Sequence, residues 1–448
     1  MTRTVIDGGA VIAMDGTEHP EGHVVVDGDR IAAVGAGSAS GGSRVDASGC
    51  VVTPGLVDAH QHLFQWATRG FAADSSLFDW LTALYPVWSG LDEETAHAAA
   101  SAGLGRLALS GCTAVADHHY VFPRGGGDVL GSVVAASSRI GTRLHAVRGC
   151  MDRGRSRGGL PPDSVVEDAE EALAASDEAV RRFHDPGPGA AVRIALGPCS
   201  PFTTSPDLMR RCAELARHRG VRLHTHLAET VDEDRQCRAE FGRSPVEHAE
   251  DLGWSGPDVW LAHLVHPSAA EVERLGRTGT AVAHCPSSNG RLGSGVAPVR
   301  ALLDAGAPVG LGVDGVASNE AGDLVGEVRQ ALLTARAAGG PRALRTREAL
   351  WLATRGSARC LGRDDELGSL EPGKLADVAV WRLDGLDHAG IDDPVAALVL
   401  GPPPRLELLL RGGVPIVEGG RLTCADDLAH ELRAASRRLR SHAPEVAR

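Results

Sequence analysis

The stretch Thr53-Pro54-Gly55-Leu56-Val57-Asp58-Ala59-His60-Gln61-His62 decides how this chain is read. From Val51 to Leu63 the residues are largely apolar and β-branched, as in a buried strand, and Pro54-Gly55 punctuates it. Alternate side chains of a strand share a face, so His60 and His62 point the same way. Two imidazoles on one face can hold a single divalent metal when further ligands come from elsewhere. An isolated H-x-H suits two ordinary histidines as well, and the remainder of the chain decides between these readings.

Outward from that strand, residues 56–365 keep one rhythm of short apolar strands alternating with helical segments. Eight strand candidates fall at 57–63, 113–117, 143–147, 192–196, 221–227, 259–264, 280–283 and 308–313. Helix-like stretches at 93–109, 165–183, 206–217 and 269–277 lie between them. Eight such alternations predict an α/β fold, a (β/α)8 TIM barrel, with its active site at the C-terminal ends of the strands. Residues 1–55 differ: Val5-Ile6, Ala10-Val11-Ile12 and His23-Val24-Val25-Val26 read as short strands, with Asp27-Gly28-Asp29 as a hairpin signal. They are too few for a core of their own. Matching strands at 376–381, 406–410 and 414–417 place residues 366–425 beside them, as a small discontinuous β-sandwich built from both terminal segments. Residues 426–448 read as a charged helical tail packed on the surface.

At 448 residues the chain suits a barrel plus a smaller module, and 43% hydrophobic with 23% charged residues is ordinary for a soluble globular protein. No run of 18 apolar residues occurs, so neither a membrane span nor a membrane partner is expected. A net charge of −13 argues against a nucleic-acid surface. Nine scattered cysteines without C-x-x-C fit reduced thiols in a cytoplasmic protein. A homo-oligomer acting on a small molecule is expected. Of the 45 basic residues only Lys374 is lysine.

Candidate ligands and proton carriers fall at successive strand ends. Strand 1 ends with His60 and His62, strand 5 reads Leu223-His224-Thr225-His226-Leu227-Ala228-Glu229, and strand 6 ends at His263. Strand 7 is followed by His284-Cys285-Pro286-Ser287-Ser288-Asn289, and strand 8 leads to Asp314-Gly315. H-x-H on strand 1, H-x-x-E on strand 5, histidine on strand 6 and D-G-x-x-S-N after strand 8 together resemble the amidohydrolase superfamily. Within it the chain is similar to the aminohydrolases of purines, pyrimidines and triazines. The stretches around Pro54–Asp58 and Gly368–Asp377 match as well, so the resemblance spans nearly the whole chain. His62-Leu63-Phe64-Gln65, Leu77-Phe78-Asp79-Trp80-Leu81, Leu84-Tyr85-Pro86-Val87-Trp88, Asp117-His118-His119-Tyr120 and Gly158-Gly159-Leu160-Pro161-Pro162-Asp163 are similar to 8-oxoguanine deaminases and hydroxydechloroatrazine-type ethylaminohydrolases.

The resemblance implies that His60, His62, His226 and Asp314 are metal ligands, that Glu229 shuttles protons and that His263 bonds the attacking hydroxide and the developing oxyanion. Asp314 can also accept the proton of the attacking water. Histidine and carboxylate ligation suits Zn²⁺ and also Fe²⁺. Relatives with two metals bridge them with a carboxylated lysine on strand 4, and the barrel has no lysine, so one divalent metal per chain is expected. Strand 4 ends Gly197-Pro198-Cys199-Ser200-Pro201, where deaminases of thiomethyl- and homocysteinyl-adenosine usually show G-P-H-S-P. Cys199 as a bridging ligand is the alternative, and the missing imidazole argues against a nucleoside substrate. A carboxamide both donates and accepts, so Gln65 suits a ring amide. Trp88, His118, His119, Tyr120 and Cys199 are further candidates for lining the substrate pocket, and Arg148 and Arg291 for meeting a carbonyl-rich substrate. The activity implied is hydrolytic deamination of a guanine-like heterocycle, 8-oxoguanine giving urate and ammonia. Removal of an amine or chloride from a substituted triazine, or deamination of isocytosine, is the alternative.

Overall fold

The computed structural model describes residues 3–424 and 427–442, so the expected limit between residues 425 and 426 lies outside the described residues. Eight parallel strands stand in chain order round a barrel. Strand 1 is Leu56–Gln61, strand 2 Cys112–His119, strand 3 Arg143–Cys150 and strand 4 Val192–Pro198. Strand 5 is Arg222–Leu227, strand 6 Val259–His263, strand 7 Ala281–His284 and strand 8 Val309–Leu311. Each overlaps its expected segment. Small and branched side chains, among them Val57, Ala59, Ala114, Ala116, Val147, Ala195, Ala281 and Ala283, fill the interior around Trp260. A barrel of this size has room for little else.

Closure between strand 8 and strand 1 does not use a regular ladder. The buried Asp58 carboxylate accepts from Val313 N and His60 N, both at 3.1 Å, and Asp314 N donates to His60 O at 2.9 Å. The seam therefore fixes the backbones of His60 and Asp314 against each other. On the outside, Ser357 Oγ accepts from Leu311 N at 2.9 Å, after a π-helical turn at Leu352–Gly356.

The helices begin where polar caps dictate. Asp92 accepts from Thr95 N ahead of Glu93–Leu109, and Ser205 from Leu208 N ahead of Pro206–Arg219. Gly220, at φ 67°, ends the latter and turns the chain into strand 5. The helix expected at 165–183 is Ala169–Phe183, because Asp168 caps it at Glu170 N while Glu167 is drawn off to Arg148.

Both terminal segments form one mixed nine-stranded sheet rather than two separate ones. They join where Cys50–Pro54 pairs antiparallel with Val378–Arg382. The sheet curls over its own core of Ile6, Val24, Val26, Ile31, Val52, Val378, Leu408 and Leu410. The helix Leu428–Arg440 packs against Glu93–Leu109 through the buried Ala435 and Leu439. Among the described residues no helix is long and apolar enough to cross a membrane.

Candidate active site

His60, His62, His226, Glu229, His263 and Asp314 meet at the C-terminal mouth of the barrel, all buried except the partly buried His226. His62 Nε2 lies 2.9 Å from His226 Nε2 and 3.2 Å from Asp314 Oδ1, and His60 Nε2 lies 3.3 Å from the same oxygen. His263 Nε2 faces Glu229 Oε2 at 3.6 Å and Asp314 Oδ2 at 3.9 Å.

The far ring nitrogens are all engaged. His62 Nδ1 donates to His118 O at 2.7 Å and His226 Nδ1 to Cys199 O at 2.6 Å. His224 Nδ1 donates to Trp260 O at 2.8 Å, which leaves its Nε2 to accept from His60 Nδ1, also at 2.8 Å. This network assigns the proton of each neutral ring to Nδ1 and turns the Nε2 lone pairs of His60, His62 and His226 inward. Burial lowers the pKa of His60 to about 3 and, with the neighbouring imidazoles, holds His226 and His224 well below the usual range. Two lone pairs facing each other at 2.9 Å repel, and His60 Nε2 has no hydrogen-bond partner. Neutral imidazoles and one carboxylate, so disposed, fit a divalent cation. His60, His226, His263 and Asp314 bring ligand atoms within 4.8 Å of one another, and His62 joins His226 in a second such group.

The backbone is strained where it carries these groups: Ala228 (φ 51°), His263 (70°), Leu264 (46°) and Asp314 (63°) are all left-handed without being glycine. The D-G-x-x-S-N motif braces one of these positions, with Ser318 Oγ donating to Asp314 Oδ2 at 3.4 Å and Asn319 Nδ2 to Val313 O at 2.9 Å.

Above the cluster, a cavity is lined by Gln65, Trp80, Leu81, Tyr85, Tyr120, Cys199, Phe202 and Leu292. Gln65 Oε1 is buried without a partner, and its Nε2 lies 3.5 Å from Tyr120 Oη. A Cβ on Gly315 would fall 1.8 Å from that Oε1, so the carboxamide needs glycine there. Burial pushes the Cys199 thiol up to about 12, which keeps it protonated, and among the described residues Cys199 belongs to no metal-ligand group. Lys374 is occupied elsewhere, donating to Asp364 O at 2.6 Å and Ser369 Oγ at 2.7 Å.

Trp88 and His119 do not join the cavity. Trp88 lies about two helical turns beyond Leu81 on Leu77–Trp88 and is fully buried, its indole donating to Thr68 Oγ1 at 3.1 Å. Strand alternation turns His118 and Tyr120 inward and His119 outward, against Phe64 and Phe122, with its Nε2 bonded to Val121 O. Arg148 is held by Glu167 and Arg291 by Glu320. Trp88→Ala is therefore expected to cost about 3–5 kcal/mol of stability, as buried tryptophans do, while the folded variant keeps a near-normal KM. Chemical denaturation alongside steady-state kinetics checks this.

Sequence reasoning missed Tyr85, Phe202, Asn289 and Ser294. Asn289 Oδ1 accepts from His263 Nδ1 at 2.9 Å, and Ser294 Oγ donates to Glu229 Oε1 at 3.4 Å. Asn289, inside the stretch singled out after strand 7, and Tyr85, inside Leu84–Trp88, had a signal in the sequence, and Phe202 and Ser294 had none.

Known proteins place this geometry. The chain is 46% identical to 8-oxoguanine deaminase of Pseudomonas aeruginosa, over 92% of each chain. It is 37% identical to hydroxydechloroatrazine ethylaminohydrolase of Pseudomonas sp. strain ADP, over 81% of this chain and 77% of that one. Among solved structures, atrazine chlorohydrolase of Arthrobacter aurescens TC1 complexed with zinc superposes with a TM-score of 0.91 at 35% identity, covering 97% of this chain and 100% of that one. The profile described as "Amidohydrolase family" matches residues 51–409, from the strand before the H-x-H to the last long strand of the outer sheet. Barrel, strand-end histidines and relatives agree, and the chain belongs to the amidohydrolase family.

Proposed function

We propose that this protein is an aminohydrolase that converts 8-oxoguanine and water to urate and ammonia. The similarity to an 8-oxoguanine deaminase across nearly the whole chain carries this reading. His60, His62, His226 and Asp314 would hold one divalent ion, for which the zinc in a structural neighbour favours Zn²⁺. When bound, such an ion supplies Lewis acidity that brings the pKa of water towards 7.

The chain's own groups then divide the work. Asp314 accepts the proton of the attacking water. A C–O bond forms at the ring carbon that bears the exocyclic amine. Burial raises the pKa of Glu229, which suits it to protonate the adjacent ring nitrogen. As a carboxylate it then relays to the departing amine the proton that Asp314 took up, and the hydroxyl proton released as the carbonyl forms restores the acid. Burial disfavours a charged His263, but the Glu229 and Asp314 carboxylates outweigh it and raise its pKa. The ring donates through Nδ1 to Asn289, and its Nε2 faces the developing oxyanion, to which it can donate when it carries a proton. Breaking the C–N bond releases ammonia. Gln65 receives the ring amide, and the aromatic and aliphatic lining excludes bulk water.

Ammonia release across aminated purines, pyrimidines and triazines tests the assignment. 8-Oxoguanine should be the best substrate and adenosine derivatives much poorer; a preference for adenosine nucleosides overturns the substrate. Losing one hydrogen-bonding partner in a buried site costs about 1–3 kcal/mol, so Gln65→Ala should lower kcat/KM by roughly 5- to 150-fold with metal content intact. Normal kinetics of that variant on every free base would remove Gln65 from recognition. A second reading, hydrolysis of a substituted triazine, is favoured by the triazine-acting neighbours and is decided by the same panel. The nine scattered cysteines without C-x-x-C support a reducing, cytoplasmic setting, and we propose a homo-oligomer, tested by its hydrodynamic mass.

A further inference from the structure

Among the described residues three helices open on a capping-box sequence, a Ser or Thr followed three residues later by Glu. At Ser244–Glu247 and Ser268–Glu271 the box closes as expected, the glutamate reaching back to the N–H of its own cap residue at 3.1 and 2.5 Å. At Thr230–Glu233 it does not. Thr230 Oγ1 still accepts from Glu233 N at 3.2 Å, but the Glu233 carboxylate passes the cap and reaches further back along the chain. Its Oε1 accepts from Ala228 N at 2.9 Å and its Oε2 from Glu229 N at 2.8 Å.

Those two amides belong to the corner that aims Glu229. Ala228 is left-handed at φ 51°, and its carbonyl accepts from Val265 N and His266 N, both at 2.9 Å. The same corner thus ties the exit of strand 5 to the exit of strand 6, where His263 and Leu264 are themselves left-handed. Glu233 is buried, and the two N–H donors are its hydrogen-bond partners. We propose that Glu233 is a positioning residue for the deamination, holding the Ala228–Glu229 corner so that Glu229 faces the reacting ring. This rests on the assignment of Glu229 as the proton shuttle.

Glu233→Gln keeps the shape but turns one accepting oxygen into a donor that confronts an amide N–H. A small misplacement of a reacting group costs on the order of 10²-fold, so kcat should fall by roughly 10- to 100-fold, with KM changed less than about 3-fold and metal content unaltered. In a Glu229→Gln background the same substitution should change kcat by less than about 2-fold, because the group being aimed is gone. Equal losses in both backgrounds overturn the inference, since Glu233 would then act on the fold or on the metal site. Near-normal turnover of Glu229→Gln alone removes the shuttle, and the inference with it, and the single variant reports that outcome separately. If the glutamine variant does not fold, Glu233→Asp, which keeps the charge but is one methylene short, carries the same comparison: a loss confined to the Glu229 background supports the role, and an equal loss in both refutes it.

Discussion

His226→Ala is expected to leave the purified protein with essentially no bound divalent metal and no detectable ammonia release, where the parent chain should carry roughly one ion. The imidazole supplies one of the inward lone pairs, and its Nδ1, donating to Cys199 O, holds the ring in that orientation. Metal sites assemble cooperatively, and losing one of the four proposed ligands should remove more than a quarter of the affinity. His60→Ala should behave alike and in addition strand the accepting nitrogen of His224. Elemental analysis of folded variants checks both. Two metals per active parent chain would overturn the single-site assignment.

The second large effect isolates proton transfer from metal binding. Glu229→Gln should retain the metal, because Glu229 faces His263 and Ser294 rather than the inward nitrogens of His60, His62 and His226. Its kcat should nevertheless fall by roughly 10²–10⁴-fold, as for loss of a general acid–base. Metal analysis and turnover on one preparation distinguish the cases, and near-normal kcat would take Glu229 out of the mechanism.

Legibility in the sequence followed periodicity and backbone chemistry. Strands with buried residues on both faces read as apolar runs, which is why all eight barrel strands were placed to within a few residues. Glu93–Leu109 was bounded correctly because Asp92 and the alanine-rich run agree on where it starts. The helix start at Ala169 was missed because Val165 and Val166 look helical, while the aspartate that caps at Glu170 decides the matter locally.

That His60, His62, His226, Glu229, His263 and Asp314 come together was legible because strand ends of a barrel converge whatever lies between them, and their roles remain those proposed. Trp88 and His119 were misread for geometric reasons. Depth along a helix and the phase of a strand need the packed structure: His118 and His119 are equivalent in composition, and only His118 turns towards the histidine cluster. The supporting hydrogen bonds of Asn289, His224 and Glu233 cross between strands or skip an expected cap, and no local pattern encodes them.

The pairing of Cys50–Pro54 with Val378–Arg382 also bears on how the chain must be made. An N-terminal strand waits for a partner synthesised roughly 320 residues later. At about 5–20 residues per second on the ribosome, its edge stays open for about 15–65 s. Throughout that interval Val51 and Val52 offer unpaired backbone to any neighbouring nascent chain. Truncation anywhere before residue 378 would leave that edge permanently uncovered. Interrupted translation products of this protein should therefore aggregate, or be bound by holding chaperones, more readily than those of a barrel whose terminal strands pair early.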